Sequence, residues 1–214
     1  MFPIPESHSQ NEAQDREKRA RFNPDAATVR KNFDDVRNEL QQSSLGRILQ
    51  NVICDALSVC KLEKIVAFGA GTICPPYEPT HHISKAHRNR HAALLAIRDN
   101  LQAKNVSKGK EIKIFLQDSS YTRLDREVLG KYGMTVVNGD FGCQAGFVLA
   151  DKKALVVVFD MPSDLLPLFW ETGRPVAFLC GTPLDKYHYL DSPIYFTTLH
   201  DRKGEVVDVP APGP

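Results

Sequence analysis

Apolar residues recur four, three and four positions apart at Val29, Phe33, Val36 and Leu40, which places all four on one face of a helix beginning near Asp25. A second helix is expected after the stretch SSLG, with Leu45, Ile48, Leu49, Val52, Ile53 and Ala56 on its apolar stripe. Then the texture changes. Lys64 to Phe68 is a short apolar run ending at a glycine, Ser84 to Lys104 has a helical pattern, and Ile112 to Gln117 reads as a second strand. Thr122 with Asp125 three residues on is a helix-start signature, and the helix it opens runs to Lys131 and stops before Gly133. Met134 to Val137, Ala154 to Phe159 and Val176 to Cys180 read as three further strands, with a helix over Asp164 to Thr172 that carries Trp170 at core spacing from Leu166.

The runs VVVF and VAFL are continuously apolar rather than alternating, as in strands covered on both faces by helices. Strand and helix alternate, so the pattern predicts an α/β fold: a Rossmann-like, doubly wound, mostly parallel sheet preceded by N-terminal helices. The stretches IYFTTL and EVVDV flank HDRKG and predict a C-terminal β-hairpin. Residues 1–23 are polar and charged, which predicts a disordered leader; residues 24–209 form one expected domain, and PAPGP at 210–214 an expected disordered tail.

Composition narrows the function classes. The formal net charge is +1 with 25% charged residues, so no global field marks a nucleic-acid or membrane binder, and nucleic acid is not the expected partner. Five scattered cysteines without a C-x-x-C pair argue against a disulfide framework or a zinc knuckle. The absence of a signal-length apolar run leads us to expect an intracellular, cytoplasmic protein. The basic cluster Arg16, Lys18, Arg19 and Arg21 leaves a nuclear location open.

Candidate chemistry gathers at the ends of the predicted strands. Gly69 and Gly71 supply the first two glycines of a dinucleotide-binding turn, but Cys74 stands where the third belongs, and Pro75, Pro76 and Pro79 postpone the next helix to about Ser84. Lys85, Arg88 and Arg90 crowd the first turns of that helix, where the macrodipole disfavours cations, so a bound anion or acidic partner surface is expected there. His87 and His91 have metal-pair spacing, with His81 and His82 upstream, yet the H-E-x-x-H glutamate is missing and arginines flank them; no metal site is assigned. Asp118, with Ser119, closes the second strand where an acid commonly holds a ribose. Asn138, Gly139 and Asp140 end the third strand, and Asp160, Met161, Pro162 and Ser163 the fourth. No G-x-S-x-G elbow, P-loop or cysteine with an adjacent histidine offers a nucleophile.

Over about residues 44–180 the chain resembles the SRR-like family, named for sensitivity to red light reduced. The resemblance rests on KIVAFGAGTI with Thr72 after its glycines, on LQDSS, on LGKYGMTVVN and on VVVFDMPSDLLPLFW. It departs from the family at HRNRHAALLAI, at Asp118-Ser119 and at Asp160 to Ser163. The resemblance implies a Rossmann-like regulatory protein whose relatives are linked to circadian and light signalling and to regulation of haem biosynthesis.

The residues leave three readings open. One is a regulatory crevice, with cofactor-type contacts from Gly69, Gly71, Thr72, Asp118, Ser119, Asn138, Asp140, Asp160 and Met161, that takes a small anionic or nucleotide ligand or a protein partner. The enzyme alternative is an S-adenosylmethionine-dependent methyltransferase, favoured over an NAD-type oxidoreductase because the third glycine is missing. The last is a non-catalytic scaffold that meets acidic partners.

Overall fold

A computed structural model describes residues 25–49, 51, 57, 61–74, 81–104, 107, 109–137, 145–159, 169, 173, 175–180, 199–200 and 206–207. Helix α1, Ala26–Gln42, opens on Asp25, whose side chain accepts from Thr28 N–H at 2.7 Å, and buries Val29, Phe33, Val36 and Leu40, the four residues of the expected stripe. Helix α2, Ser44–Ile48, follows at once, capped by Ser43, and the rest of the expected second helix lies outside the described residues apart from Leu49, Asn51 and Leu57.

Five parallel strands form the sheet: β1 Lys64–Phe68, β2 Lys113–Gln117, β3 Met134–Val136, β4 Ala154–Val158 and β5 Ala177–Cys180. Their order, β3-β2-β1-β4-β5, means that the chain builds outward from β1 through β2 to β3, then returns to the other side of β1 for β4 and β5. That reversal creates a topological switch point between the carboxyl ends of β1 and β4, where open α/β sheets form their crevice. The predicted doubly wound α/β fold is the fold observed.

Between β1 and β2 runs α3, His81–Ala103, and between β2 and β3 runs α4, Arg123–Gly130. Helix α3 begins at His81 rather than the expected Ser84, so the proline segment postpones it by three residues less than its composition implied. Helix α4 has the predicted capping box: Thr122 and Asp125 exchange side-chain to backbone bonds. A short helix that the pattern does not predict, α5 at Ala145–Leu149, precedes β4. Two residue pairs near the C-terminus, β6 Leu199–His200 and β7 Val206–Val207, pair antiparallel; the turn of the expected hairpin lies outside the described residues.

Two cores cover the two faces of the sheet. Ile65 and Ala67 of β1 and Leu155 and Val157 of β4 face the α1, α3 and α4 side, where Phe33, Leu94, Leu95, Leu101 and Leu129 are fully buried. Val66, Phe68, Val156 and Val158 face the other way, onto Phe147, Phe169 and Phe178. Phe169 packs its ring at 4.9 Å from Phe68, 4.8 Å from Phe147 and 5.3 Å from Phe178. Burying each such side chain contributes about 2–3 kcal/mol, so both faces of the central strands are strongly committed. Among the described residues no helix is long and apolar enough to cross a membrane.

Candidate functional site

Chain leaves β1 through Gly69 and Gly71, both with positive φ, 68° and 79°, a backbone region that excludes most side chains. Gly71 answers a second demand. A Cβ on it would lie 2.5 Å from the ring of His87, which reaches over from α3 and bonds through Nδ1 to the Thr72 carbonyl at 3.1 Å. The carbonyl can only accept, so Nδ1 carries the proton. The glycine pair therefore admits a histidine ring and the helix that bears it, in the space above the turn where a dinucleotide motif would admit a pyrophosphate.

Asp118, at the end of β2, is turned inward on the same loop. Its Oδ2 accepts from Gly71 N–H at 2.9 Å, and its Oδ1 accepts from the N–H and hydroxyl of Ser120 at 2.9 and 2.7 Å. The carboxylate expected to hold a ribose thus ties the end of β2 to the glycine turn. Ser119 beside it is exposed.

Thr72 is buried and gives its hydroxyl to Asp125 on α4, 3.0 Å from Oδ1 and 2.9 Å from Oδ2. Asp125 is fully buried and also accepts from the N–H groups of Ile73 and Cys74 and from the N–H and hydroxyl of Thr122. Sequence spacing identifies Asp125 as a capping residue; that it also holds the glycine turn is decided by the packing of α4 beside it. Cys74 ends the described turn, and burial, then the neighbouring Asp125 charge, pushes its thiol far up from the usual range. A protonated buried thiol is a poor nucleophile.

His91, one turn after His87, is fully buried with both ring nitrogens engaged. Nδ1 donates to the His87 carbonyl at 2.7 Å, which leaves Nε2 to accept from the Tyr121 hydroxyl at 2.7 Å. Burial pulls its pKa down to about 4. Among the described residues no group of three or more acidic, histidine or cysteine side chains is placed to hold a metal.

The three basic residues predicted to meet an anion near the start of α3 part company. Lys85 is exposed and pairs with Glu39 of α1 at 3.0 Å. Arg90 crosses the switch point: Nη1 donates to the Gly69 carbonyl after β1 at 2.9 Å, and the guanidinium lies 5.7 Å from the ring centre of Phe159, which follows β4. Arg88, two residues earlier and so about 200° around the helix, is on the buried side, with only 9% of its surface exposed. Asn138, Asp140, Asp160 and Met161, together with Gly139, Pro162, Ser163 and Trp170, lie outside the described residues.

One open depression of about 590 Å³ lies at the opposite, amino end of the strands, lined in part by Arg37, Arg98, Asp99, Gln102 and Tyr132. Its arginines are satisfied locally: both bond to Asp99, and Arg98 also donates to the Tyr132 carbonyl at 2.7 Å. We place the candidate site at the carboxyl edge because the switch point is there and the Arg90 guanidinium lies across it.

Sequence reasoning missed Tyr121, Ser120 and Gln117, whose Oε1 accepts from Gly146 N–H at 2.6 Å. Nothing in their spacing distinguishes them from turn and strand residues. No curated protein and no solved structure matches the chain. The sequence model of the SRR1 domain does match, over residues 33–205, and so takes in all five strands of the parallel sheet and helices α2 to α5. The chain therefore belongs to the SRR1-domain family.

Proposed function

We propose that this SRR1-domain protein is regulatory: it recognises a small anionic or nucleotide ligand, or the acidic surface of a protein partner, at the carboxyl edge of its sheet, without a covalent step. The observation that carries this reading is Arg90, a guanidinium laid across the ends of β1 and β4, bonded to the Gly69 carbonyl and held 5.7 Å over the ring centre of Phe159. A cation fixed at the switch point is preorganised for an anion, since its planar fork matches carboxylate and phosphate oxygens. The chemistry around it suits binding better than turnover: the Cys74 thiol is held protonated, and His91 has no free nitrogen. A binding domain of this kind fits the signalling and haem-regulation links that the family resemblance implies.

Adenosylmethionine, adenosylhomocysteine, dinucleotides, mononucleotides and haem, each tested for its effect on the melting temperature, separate the alternatives, because a ligand of the folded state raises it by mass action. A shift with a nucleotide or other anion that Arg90→Met abolishes supports the proposal. A shift with adenosylmethionine that survives Arg90→Met points to the methyltransferase alternative. No shift with any of them leaves the scaffold reading.

A further inference from the structure

Arg88 occupies a position that the helix reserves for the core. Ser84, Arg88, Ala92 and Leu95 follow one another along the buried stripe of α3, and each is at least nine-tenths covered. The guanidinium remains protonated in any protein environment, although burial pulls its pKa below the usual value. Its Nε is sealed from solvent and, among the described residues, donates to nothing. Among the described residues no carboxylate pairs with it, and its near neighbour is the protonated thiol of Cys74.

A buried, unbalanced charge is strongly unfavourable, and native proteins neutralise such a charge or surround it with acceptors. The Nε edge of a guanidinium presents two parallel N–H groups, spaced to take two oxygens of one anion. Arg88 stands beside the last residue of the glycine turn, within the first three turns of the 23-residue helix α3.

We infer that Arg88 is the internal seat of a small oxyanion, the phosphate or carboxylate group of a ligand, received between the Cys74 end of the glycine turn and α3. The inference rests on the reading of this edge as an anion-recognition site and assigns the buried contact within it to Arg88 rather than Arg90.

The test uses the full chain at constant ionic strength, with sodium chloride as the baseline and inorganic phosphate, glycerol phosphate and acetate as probes. Phosphate or acetate is expected to raise the melting temperature of the wild type in a saturable way, and Arg88→Met to abolish that response while melting at or above the wild-type temperature without anion. Glycerol phosphate acting at lower concentration than inorganic phosphate would identify an esterified source, and the reverse a free one. An equal response in wild type and Arg88→Met overturns the assignment to Arg88. If that response is instead lost in Arg90→Met, the site reading survives and the Arg88 inference alone fails. No anion effect in either protein overturns the Arg88 inference together with the small-ligand reading of this edge. Should Arg88→Met not fold, the Nε–H resonance of Arg88 in ¹⁵N-labelled wild type gives the answer: it must move on phosphate titration, and an unmoved signal sinks the inference.

Discussion

The ring of His87 fills the space that a side chain on Gly71 would need: a Cβ there would stand 2.5 to 2.6 Å from three of its atoms. Gly71→Ala is therefore expected to destabilise the protein by about 2–5 kcal/mol, adding left-handed backbone strain to overpacking. Gly109, with φ 82° but nothing within 4 Å of its Cβ position, should lose only the backbone part when changed to alanine. Urea denaturation of both variants and of Gly71→Ala/His87→Ala would check this; the double variant should recover the overpacking part. Equal losses for Gly71→Ala and Gly109→Ala would refute the steric account.

Asp125 ties the glycine turn to α4 by accepting from Thr72, Ile73 and Cys74 on one side and Thr122 on the other. Asp125→Ala leaves these buried donors without an acceptor, so it should cost about 3–5 kcal/mol. Amide exchange of Ile73 and Cys74 should accelerate in Thr122→Ala much less than in Asp125→Ala, because Thr122→Ala removes only the cap, worth about 1 kcal/mol.

The His91–Tyr121 pair makes stability pH-dependent in one direction. His91 titrates near 4 when folded, against an ordinary value of 6.5. The unfolded chain therefore binds a proton first, so the contribution is fully present above about pH 6.5 and is lost as pH falls toward 4. At roughly 1.4 kcal/mol per unit the loss approaches about 3 kcal/mol. Urea midpoints between pH 7 and 4 for the wild type and for His91→Leu/Tyr121→Phe should show a shallower acid decline in the double variant. Parallel declines would remove His91 as the cause.

Cys74 should resist alkylation while the protein is folded, since burial and the adjacent Asp125 hold its thiol protonated. Iodoacetamide labelling followed by peptide mass mapping should find Cys74 unmodified in buffer and modified in urea. Rapid labelling of native protein at neutral pH would contradict the structure.

Strand after strand was legible because burial on both faces forces continuous apolar runs: Lys64 to Phe68 is strand from end to end, and Ala154 to Val158 is fully buried. Helix α4 was equally legible, since Thr122 and Asp125 are local partners. Helix α5 was not, because Ala145–Leu149 is too short to show a period and is defined by Phe147 docking on Phe68 and Phe169. Helix α3 starts at His81 rather than Ser84, because prolines mark where a helix is interrupted, not which histidine begins the next turn.

The sequence by itself determined an α/β order of elements, the position of the carboxyl edge and the residue types gathered there, because periodicity and turn chemistry are local properties of the chain. Tertiary structure alone decided how those residues are used. Asp118 and Gly71 are 47 positions apart, and Thr72 and Asp125 are 53 apart, yet each pair is hydrogen-bonded. Lys85, Arg88 and Arg90 lie within six residues and point to an exposed ion pair, a buried stripe and the switch point. Helical rotation separates near neighbours, and sheet packing joins distant ones; spacing along the chain records neither outcome.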